Sequence, residues 1–323
     1  MKAVQIDEFG SSEKLKVVDI DIPIPQKDEV LIKVEAAGVM FSDIQMREDD
    51  YTNPPKLPAV LGREVVGTAI EVGENVEHIK VGMRVGTFMH TGGYAEYAAA
   101  PAMTTFEIPD RASFLQAIVY QSSLPAAYTH YSLAGNVQPG ETILIHAAAG
   151  SVGTLMTQIA KKHGNTVIAL CSSEAKRQYC LTKGADYAIN YRETDYVEEV
   201  LNITEGKGVD VSLNSVGGPT LETDYKAIRP LGRWVIYGYA GGRAPLSAEA
   251  IDGIMHRSQQ ITIASVYNYR ETEKIFDVLQ YCQEWLKTEP LESPTTIYAL
   301  EQAAEAQEFI ASQESIGKVV LVP

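Results

Sequence analysis

The chain of 323 residues is 45% hydrophobic and 21% charged, with a formal net charge of −15 at pH 7. This length allows two domains with large cores, and the acidity argues against a nucleic-acid partner, because such binding depends on clustered Lys and Arg. No run is long and apolar enough to span a bilayer, and MKAVQIDEFG lacks the apolar core of a signal peptide. We therefore expect a cytoplasmic protein without a membrane partner.

The cysteines fit that expectation. Cys171, Cys180 and Cys282 are irregularly spaced, which predicts buried thiols rather than a disulfide framework or a CxxC metal site.

The first third of the sequence is rich in predicted strands. They are short, and Gly and Pro separate them: Val30–Val34, Val65–Gly73, Val85–Phe88 and Tyr94–Tyr97. Short strands at close spacing are typical of a partly open antiparallel β-barrel.

From about Ser122, predicted strands and helices alternate. The strands are Thr142–Ile145, Thr166–Leu170, Tyr187–Ile189, Val209–Asn214, Arg233–Tyr237 and Ile261–Ser265. The helices between the earlier strands are Val152–Lys162, Glu174–Lys183, Tyr196–Thr204 and Thr220–Ile228. This alternation predicts an α/β fold with a doubly wound, six-stranded parallel sheet.

The last part of the chain changes character again. Two helices, Glu271–Lys287 and Leu300–Ser312, and a final strand, Lys318–Val322, are predicted there. We expect this segment to fold back onto the N-terminal domain. The predicted domains are residues 1–121 together with 266–323, and residues 122–265.

The turn after the first strand of the parallel sheet carries the most specific motif. Ala148-x-Gly150-x-x-Gly153 fits the dinucleotide fingerprint with alanine in the first glycine position. Small residues let the backbone approach a pyrophosphate, and the following helix offers free N–H groups at its N-terminus. The predicted cofactor contacts in this turn are Ala148, Gly150, Ser151, Val152 and Gly153.

Together with this turn, segments along nearly the whole chain resemble one family. They include GVMFSDIQMR, LPAVLGREVVGTAIEVG, HAAAGSVGTLMTQIAKKHG, GVDVSLNSVGG and GKVVLVP. The chain resembles the zinc-independent quinone oxidoreductase branch of the medium-chain dehydrogenase/reductase superfamily. The resemblance implies a GroES-like catalytic domain, an inserted Rossmann domain, a cofactor in the interdomain cleft and a homodimer.

The resemblance also implies which residues hold the adenosine end of the cofactor: Ser172, Lys176 and Tyr191. Two hydroxyls followed by two cations in Ser172–Arg177 suit a 2′-phosphate, which favours NADPH over NADH. Alternatively, Ser173 caps the next helix, with Glu174 in its first turn and Lys176-Arg177 on a solvated face; the two interpretations are compatible. Glu174 is also placed to reach the ribose. Gln313 stands where the family pattern has a further basic residue.

Around the nicotinamide, the resemblance implies contacts from Thr129, Asn214 and Gly238. Asn214 and Gly238 follow predicted strands, and open α/β sheets bind ligands at the carboxyl ends of their strands. Gly217-Gly218 belongs to the same region or forms a plain turn.

Zinc is not expected. Related zinc enzymes have Cys and His at two positions that are Met40 and Arg63 here, and neither is a suitable zinc ligand. Arg63 and Glu64 are expected to pair with each other or with neighbouring charges.

The resemblance implies that Met40, Phe41 and Tyr51 contact the substrate and that Tyr51 is the catalytic residue. A phenol is a suitable acid for protonating the enolate that follows hydride addition to an enone. The alternative is an exposed loop tyrosine packed on Pro54-Pro55. Asp43 is expected to cap the helix that follows Met40.

The predicted function is therefore NADPH-dependent transfer of hydride to a quinone or to an activated C=C such as an enone. An enoyl-thioester reductase is an alternative, and so is a cofactor-binding redox sensor or structural protein without turnover. A metal-free alcohol dehydrogenase is less favoured, because nothing in the sequence is predicted to polarise a carbonyl. Met40, Gln313 and Ser265 depart from the family pattern and keep the non-catalytic alternative open.

Overall fold

A computed structural model describes residues 1–269, 272–289 and 293–323. Its strands are β1 (Lys2–Ile6), β2 (Lys16–Asp19), β3 (Glu29–Val39), β4 (Ala59–Val60), β5 (Glu64–Val72), β6 (Arg84–Phe88), β7 (Tyr97–Pro101), β8 (Thr105–Glu107), β9 (Thr142–Ile145), β10 (Thr166–Cys171), β11 (Tyr187–Asn190), β12 (Val209–Asn214), β13 (Ile228–Ile236), β14 (Gln260–Ile263), β15 (Thr295–Ala299) and β16 (Lys318–Val322).

Its α-helices are α1 (Phe41–Arg47), α2 (Phe114–Gln121), α3 (Ser123–Tyr128), α4 (Ser151–Lys162), α5 (Glu174–Thr182), α6 (Tyr196–Ile203), α7 (Asp224–Ala227), α8 (Ala248–His256), α9 (Val266–Tyr269), α10 (Lys274–Thr288) and α11 (Ala303–Ala311). Among the described residues, none of these helices has the length and apolar character that crossing a membrane requires.

The chain divides into two compact units, residues 1–122 with 283–323, and residues 123–282. The sequence pattern predicts the second division at 265/266, whereas the structure has it at 282/283. Tyr281 of α10 stacks on Tyr128 of α3 with ring centroids 4.0 Å apart, so the first half of this helix belongs with the second unit. Glu271, the predicted start of the helix, lies outside the described residues.

In the first unit, β3 organises a seven-stranded sheet of order β15-β16-β3-β5-β6-β8, with β7 also paired to β3. The C-terminal β16 runs antiparallel to β3, with Val319 opposite Val39 and Leu321 opposite Ala37. The C-terminal segment thus returns to the N-terminal sheet, as predicted. A second, three-stranded sheet has the order β2-β1-β4.

In the second unit, all strands of one sheet are parallel, in the order β11-β10-β9-β12-β13-β14. Ile143, Leu144 and Ile145 of β9 are fully buried, as expected of a strand covered on both faces. The predicted six-stranded doubly wound sheet is confirmed.

One predicted strand is wrong, and one predicted helix is interrupted. Tyr94–Tyr97 is irregular until β7 begins, because Tyr94 bonds two separate segments: its N–H donates to Leu61 O at 2.8 Å, and its carbonyl accepts from Val4 N at 2.8 Å. Thr220–Ile228 is a 3₁₀ turn over Gly218–Glu222 followed by the short α7. The helical course breaks at Thr223, whose φ of −125° and ψ of −31° are not helical.

Two other predicted elements have slightly different boundaries. The predicted strand Ile261–Ser265 is Gln260–Ile263. The predicted helix Leu300–Ser312 begins with a 3₁₀ turn before α11.

Candidate functional site

In the turn between β9 and α4, the residues are small, so side chains cover little of the backbone. Gly150 is the N-cap of α4 and provides no side-chain cap, so the first N–H groups of the helix keep their capacity to bind an anion. A Cβ on Gly153 would lie 2.6 Å from both Ala147 O and Ala148 Cα. Only glycine therefore allows the helix to start this close to the turn.

Four further predicted cofactor residues of this unit lie at the carboxyl edge of the parallel sheet. Ser172 follows β10, Tyr191 follows β11, Asn214 ends β12 and Gly238 follows β13. Hydrogen bonds tie these ends together, including Ala148 N to Leu170 O, Tyr191 N to Cys171 O and Tyr237 N to Asn214 O, at 2.9–3.1 Å.

At the start of α5, the side chains of Ser173 and Glu174 are both bonded within the helix. Ser173 caps the helix, since its side chain accepts from Lys176 N at 3.3 Å. Glu174 accepts from Arg177 Nε at 2.6 Å and Nη2 at 2.8 Å, and this contact lowers the pKa of the Glu174 carboxyl to about 2. Glu174 is thus held by Arg177, while Ser172 and Lys176 remain the candidate phosphate contacts.

The side-chain amide of Asn214 is hydrogen-bonded within the turn that follows β12. Its side-chain oxygen accepts from Val216 N and Gly217 N at 2.8 and 2.9 Å, and its Nδ2 donates to Asp224 Oδ2 at 2.8 Å. Asp224 also lies 2.9 Å from His146 Nε2. Burial raises the pKa of Asp224, but its contacts with His146 and Asn214 outweigh burial and lower the pKa overall.

Thr129 lies at the start of a π-helical segment, Thr129–Ala134. It is 1% exposed, and its hydroxyl has no hydrogen-bond partner among the described residues. The neighbouring His130 stacks on Tyr237 with centroids 4.2 Å apart, and burial lowers the pKa of His130 to about 3.

In the first unit, Tyr51 contacts a buried arginine. Arg63 Nη1 donates to the Tyr51 hydroxyl at 2.9 Å. The guanidinium carbon lies 4.7 Å from the Tyr51 ring centroid and 4.8 Å from that of Phe88. Tyr51 is half-buried against the core of the unit, so it is not the exposed loop tyrosine of the alternative interpretation.

Arg63 and Glu64 do not pair with each other. Glu64 is ion-paired with Lys318 in the core, both side chains being 3% exposed or less. Burial lowers the pKa of Lys318 to about 8.

Met40 and Phe41 begin α1, and Asp43 caps it as expected. The Asp43 carboxylate accepts from Met40 N at 2.9 Å and from the Tyr94 hydroxyl at 2.9 Å. Burial raises the pKa of Asp43, against the opposing influence of the Met40 N–H and the Arg63 charge.

A cavity of about 560 Å³ follows Tyr51 along the chain. Its lining includes Pro54, Pro55, Lys56 and His90. Burial and the positive charge of Arg63 both lower the pKa of His90, so the field of Arg63 reaches this wall of the cavity.

Comparison with known proteins identifies the family. An alcohol dehydrogenase GroES-like domain model matches residues 26–110, and a zinc-binding dehydrogenase model matches residues 151–281. The quinone oxidoreductase of Sus scrofa is 33% identical over 329 residues, covering 100% of this chain and 98% of that protein. The chain belongs to the zinc-independent quinone oxidoreductase branch of the medium-chain dehydrogenase/reductase superfamily, and it is an enzyme of that type.

Solved structures of this superfamily agree. The Escherichia coli quinone oxidoreductase complexed with NADPH superposes with a TM-score of 0.94 at 29% identity, covering 100% of both chains. A 2-haloacrylate reductase superposes with a TM-score of 0.84 at 29% identity, covering 100% of this chain and 99% of that one.

A zinc site of the kind found in related dehydrogenases does not fit the side chains. Met40 Sδ lies 3.4 Å from the Ser122 hydroxyl, and Arg63 is a cation. Within the described ranges, no group of three or more His, Cys, Asp or Glu side chains is placed to hold a metal ion.

The contact that sequence reasoning missed is the one between Arg63 and Tyr51. The sequence presents Arg63 only as a replaced zinc ligand beside Glu64. Twelve positions separate it from Tyr51, and no periodicity of strand or helix predicts that these two side chains meet.

Proposed function

We propose that this protein is an NADPH-dependent oxidoreductase that reduces a quinone or an activated C=C without zinc. The observation that carries the proposal is the glycine-dependent turn of Ala147–Gly153, whose bare backbone leads into an uncapped helix N-terminus. A pyrophosphate fits that combination. The NADPH in the E. coli relative supports the same cofactor here.

Side-chain contacts at the start of α5 support a preference for a cofactor with a 2′-phosphate. Arg177 donates to both carboxylate oxygens of Glu174, so its charge offsets that of Glu174 and weakens the repulsion of a nearby 2′-phosphate. Ser172 and Lys176 then supply a hydroxyl and a cation to a phosphate. Tyr191, 40% exposed, offers its ring to the adenine end.

When bound, the nicotinamide supplies the hydride. The chain's own contribution is to bind and position: the turn residues Ala148, Gly150, Ser151, Val152 and Gly153 for the pyrophosphate, with Thr129, Asn214 and Gly238 around the nicotinamide. In Asn214 this contribution comes through the turn that its amide holds, since that amide is already bonded.

On the acceptor side, we propose Met40, Phe41 and Tyr51 as substrate contacts and Tyr51 as the acid. Reduction of an enone requires a proton at carbon after hydride addition, and a held phenol can deliver it. One structural relative is named as a 2-haloacrylate reductase, and a 2-haloacrylate carries an activated C=C. This relative supports an activated C=C as the acceptor here.

Two further proposals concern the state of the protein. The edge strand β14 exposes Ile263 to 82%, which supports a homodimer formed along this edge. The three cysteines are free and buried, which supports a cytoplasmic location.

The test is oxidation of NADPH and NADH by purified, metal-analysed protein with quinones, enones and enoyl thioesters. We expect turnover without zinc, faster with NADPH, and with quinones or enones as better acceptors than thioesters. Tight NADPH binding without turnover on any acceptor would reject the proposed activity.

A further inference from the structure

Arg63 is an unusual buried cation. Its side chain is 4% exposed, yet no carboxylate of the described residues forms an ion pair with it. Glu64, the adjacent acid, forms its ion pair with Lys318. The Nε of Arg63 is also buried without a hydrogen-bond partner among the described residues. The buried Asp43 carboxylate feels the Arg63 charge, but its hydrogen bonds go to Met40 and Tyr94. Burying a cation without a directly bonded carboxylate costs free energy, so the arrangement calls for a functional explanation.

The hydrogen bond to Tyr51 has only one possible direction. A guanidinium donates and cannot accept, so the Tyr51 oxygen receives the hydrogen from Arg63 Nη1. The phenolic hydrogen must then point elsewhere. In the part of the chain that the structure describes, Tyr51 donates to no acceptor.

We propose that Arg63 is the positioning residue for Tyr51 and that the pair serves acceptors with an activated C=C. This inference rests on the proposed function and deepens it. Once the acceptor has been reduced to its enolate, the Tyr51 O–H bond breaks and its proton forms a C–H bond at the α-carbon. The electron pair stays on the Tyr51 oxygen as a phenolate, which water then reprotonates.

Arg63 contributes twice to this step. Its donated hydrogen fixes the direction of the phenolic O–H, and its charge stabilises the phenolate through a charge-assisted hydrogen bond. The contacts with the Tyr51 and Phe88 rings, at 4.7 and 4.8 Å, hold the guanidinium in place.

The first measurement follows the proton itself. A 2-substituted enone is reduced with NADPH in D₂O, and deuterium at the α-carbon is analysed before the product exchanges with solvent. Wild type should place deuterium on one face. Arg63→Met should lose about 10- to 100-fold in kcat with little change in KM, the size expected of general acid catalysis, and should label both faces. Arg63→Lys, which still donates, should partly restore kcat and the single face.

The matched control is Arg84→Met. Arg84 also lies over an aromatic ring, 4.6 Å from the Phe114 centroid, but its donors go to backbone carbonyls. Its loss should leave facial labelling unchanged.

A second readout needs neither cofactor nor turnover. In protein labelled with ¹³C at the tyrosine ζ-carbon, the Tyr51 signal is identified by its loss in Tyr51→Phe. It should shift in Arg63→Met and stay in place in Arg84→Met.

The outcomes separate the two proposals. A wild type that reduces neither quinones nor enones overturns the proposed function and this inference together. A wild type that reduces quinones but not enones overturns the inference alone. Single-face labelling in Arg63→Met, or an unmoved Tyr51 signal, also overturns the inference alone.

Discussion

Glu64 and Lys318, 254 positions apart, form an ion pair inside the core of the first unit. Lys318 begins the C-terminal strand β16, and Glu64 begins β5. The pair joins the last strand of the chain to the N-terminal sheet at a point where neither charge reaches water.

Removing one partner of this pair should destabilise the protein strongly. We expect Lys318→Met to lower the free energy of unfolding by about 3–5 kcal/mol, because Glu64 would remain buried and unpaired. The double variant Glu64→Gln/Lys318→Met should recover much of that loss. Urea denaturation of wild type, Glu64→Gln, Lys318→Met and the double variant completes a double-mutant cycle. Additive losses of unfolding free energy in the double variant would contradict a coupled pair.

Acidification should destabilise the second unit through His130. Its pKa is lowered from 6.5 to about 3 by burial, so between these values the unfolded chain binds a proton that the folded chain does not. Stability therefore falls as the pH drops below about 6.5. His130→Phe should remove on the order of 2 kcal/mol of the loss between roughly pH 6.5 and 4.5. Chemical denaturation at several pH values measures it, and equal slopes for both proteins would count against the prediction.

The two glycines of the dinucleotide turn should differ in their tolerance of a side chain. Gly153→Ala places a Cβ 2.6 Å from Ala147 O, whereas on Gly150 the nearest atom would be 3.3 Å away. We expect Gly153→Ala to cost about 1–3 kcal/mol of stability and Gly150→Ala less. Thermal unfolding of both variants compares them, and equal costs would show that the turn can shift.

Cofactor choice should depend on Lys176 and not on a lysine at the opposite edge of the sheet. Lys176→Glu should raise the Kd for NADPH at least tenfold and that for NADH much less, because only NADPH carries the 2′-phosphate. Lys207→Glu is the matched control, since Lys207 precedes β12 at the opposite edge of the sheet and pairs with Glu205. Fluorescence titration of wild type and both variants with NADPH and with NADH gives the six Kd values. A parallel loss for NADH would place Lys176 outside the phosphate site.

Tyr51→Phe should lower turnover rather than cofactor affinity. We expect kcat with enones to fall about 100-fold, the scale of general acid catalysis, while the Kd for NADPH stays within about twofold. Quinones should be affected less, because water can protonate their oxygens. Unchanged enone turnover would remove Tyr51 from the mechanism.

The sequence was most informative where local patterns decide the structure. The alternation of strands and helices predicted the parallel sheet, because a strand buried on both faces needs an apolar run whatever its neighbours are. The small residues of Ala148–Gly153 predicted the turn for the same local reason, and Ser173 predicted the cap of α5. Tyr94–Tyr97 failed because its backbone partners, Leu61 and Val4, are distant in sequence.

By itself, the sequence determined the two kinds of sheet and the dinucleotide turn, since each depends on residues close together in the chain. Its resemblance to a family implied the candidate residues at the carboxyl ends of the strands. Only the tertiary structure decided how the charges are shared. In the structure, Glu64 forms an ion pair with Lys318, and Arg63 donates a hydrogen bond to Tyr51. Such pairing in a core is set by which strands and loops lie side by side and by the free-energy cost of leaving a charge unpaired.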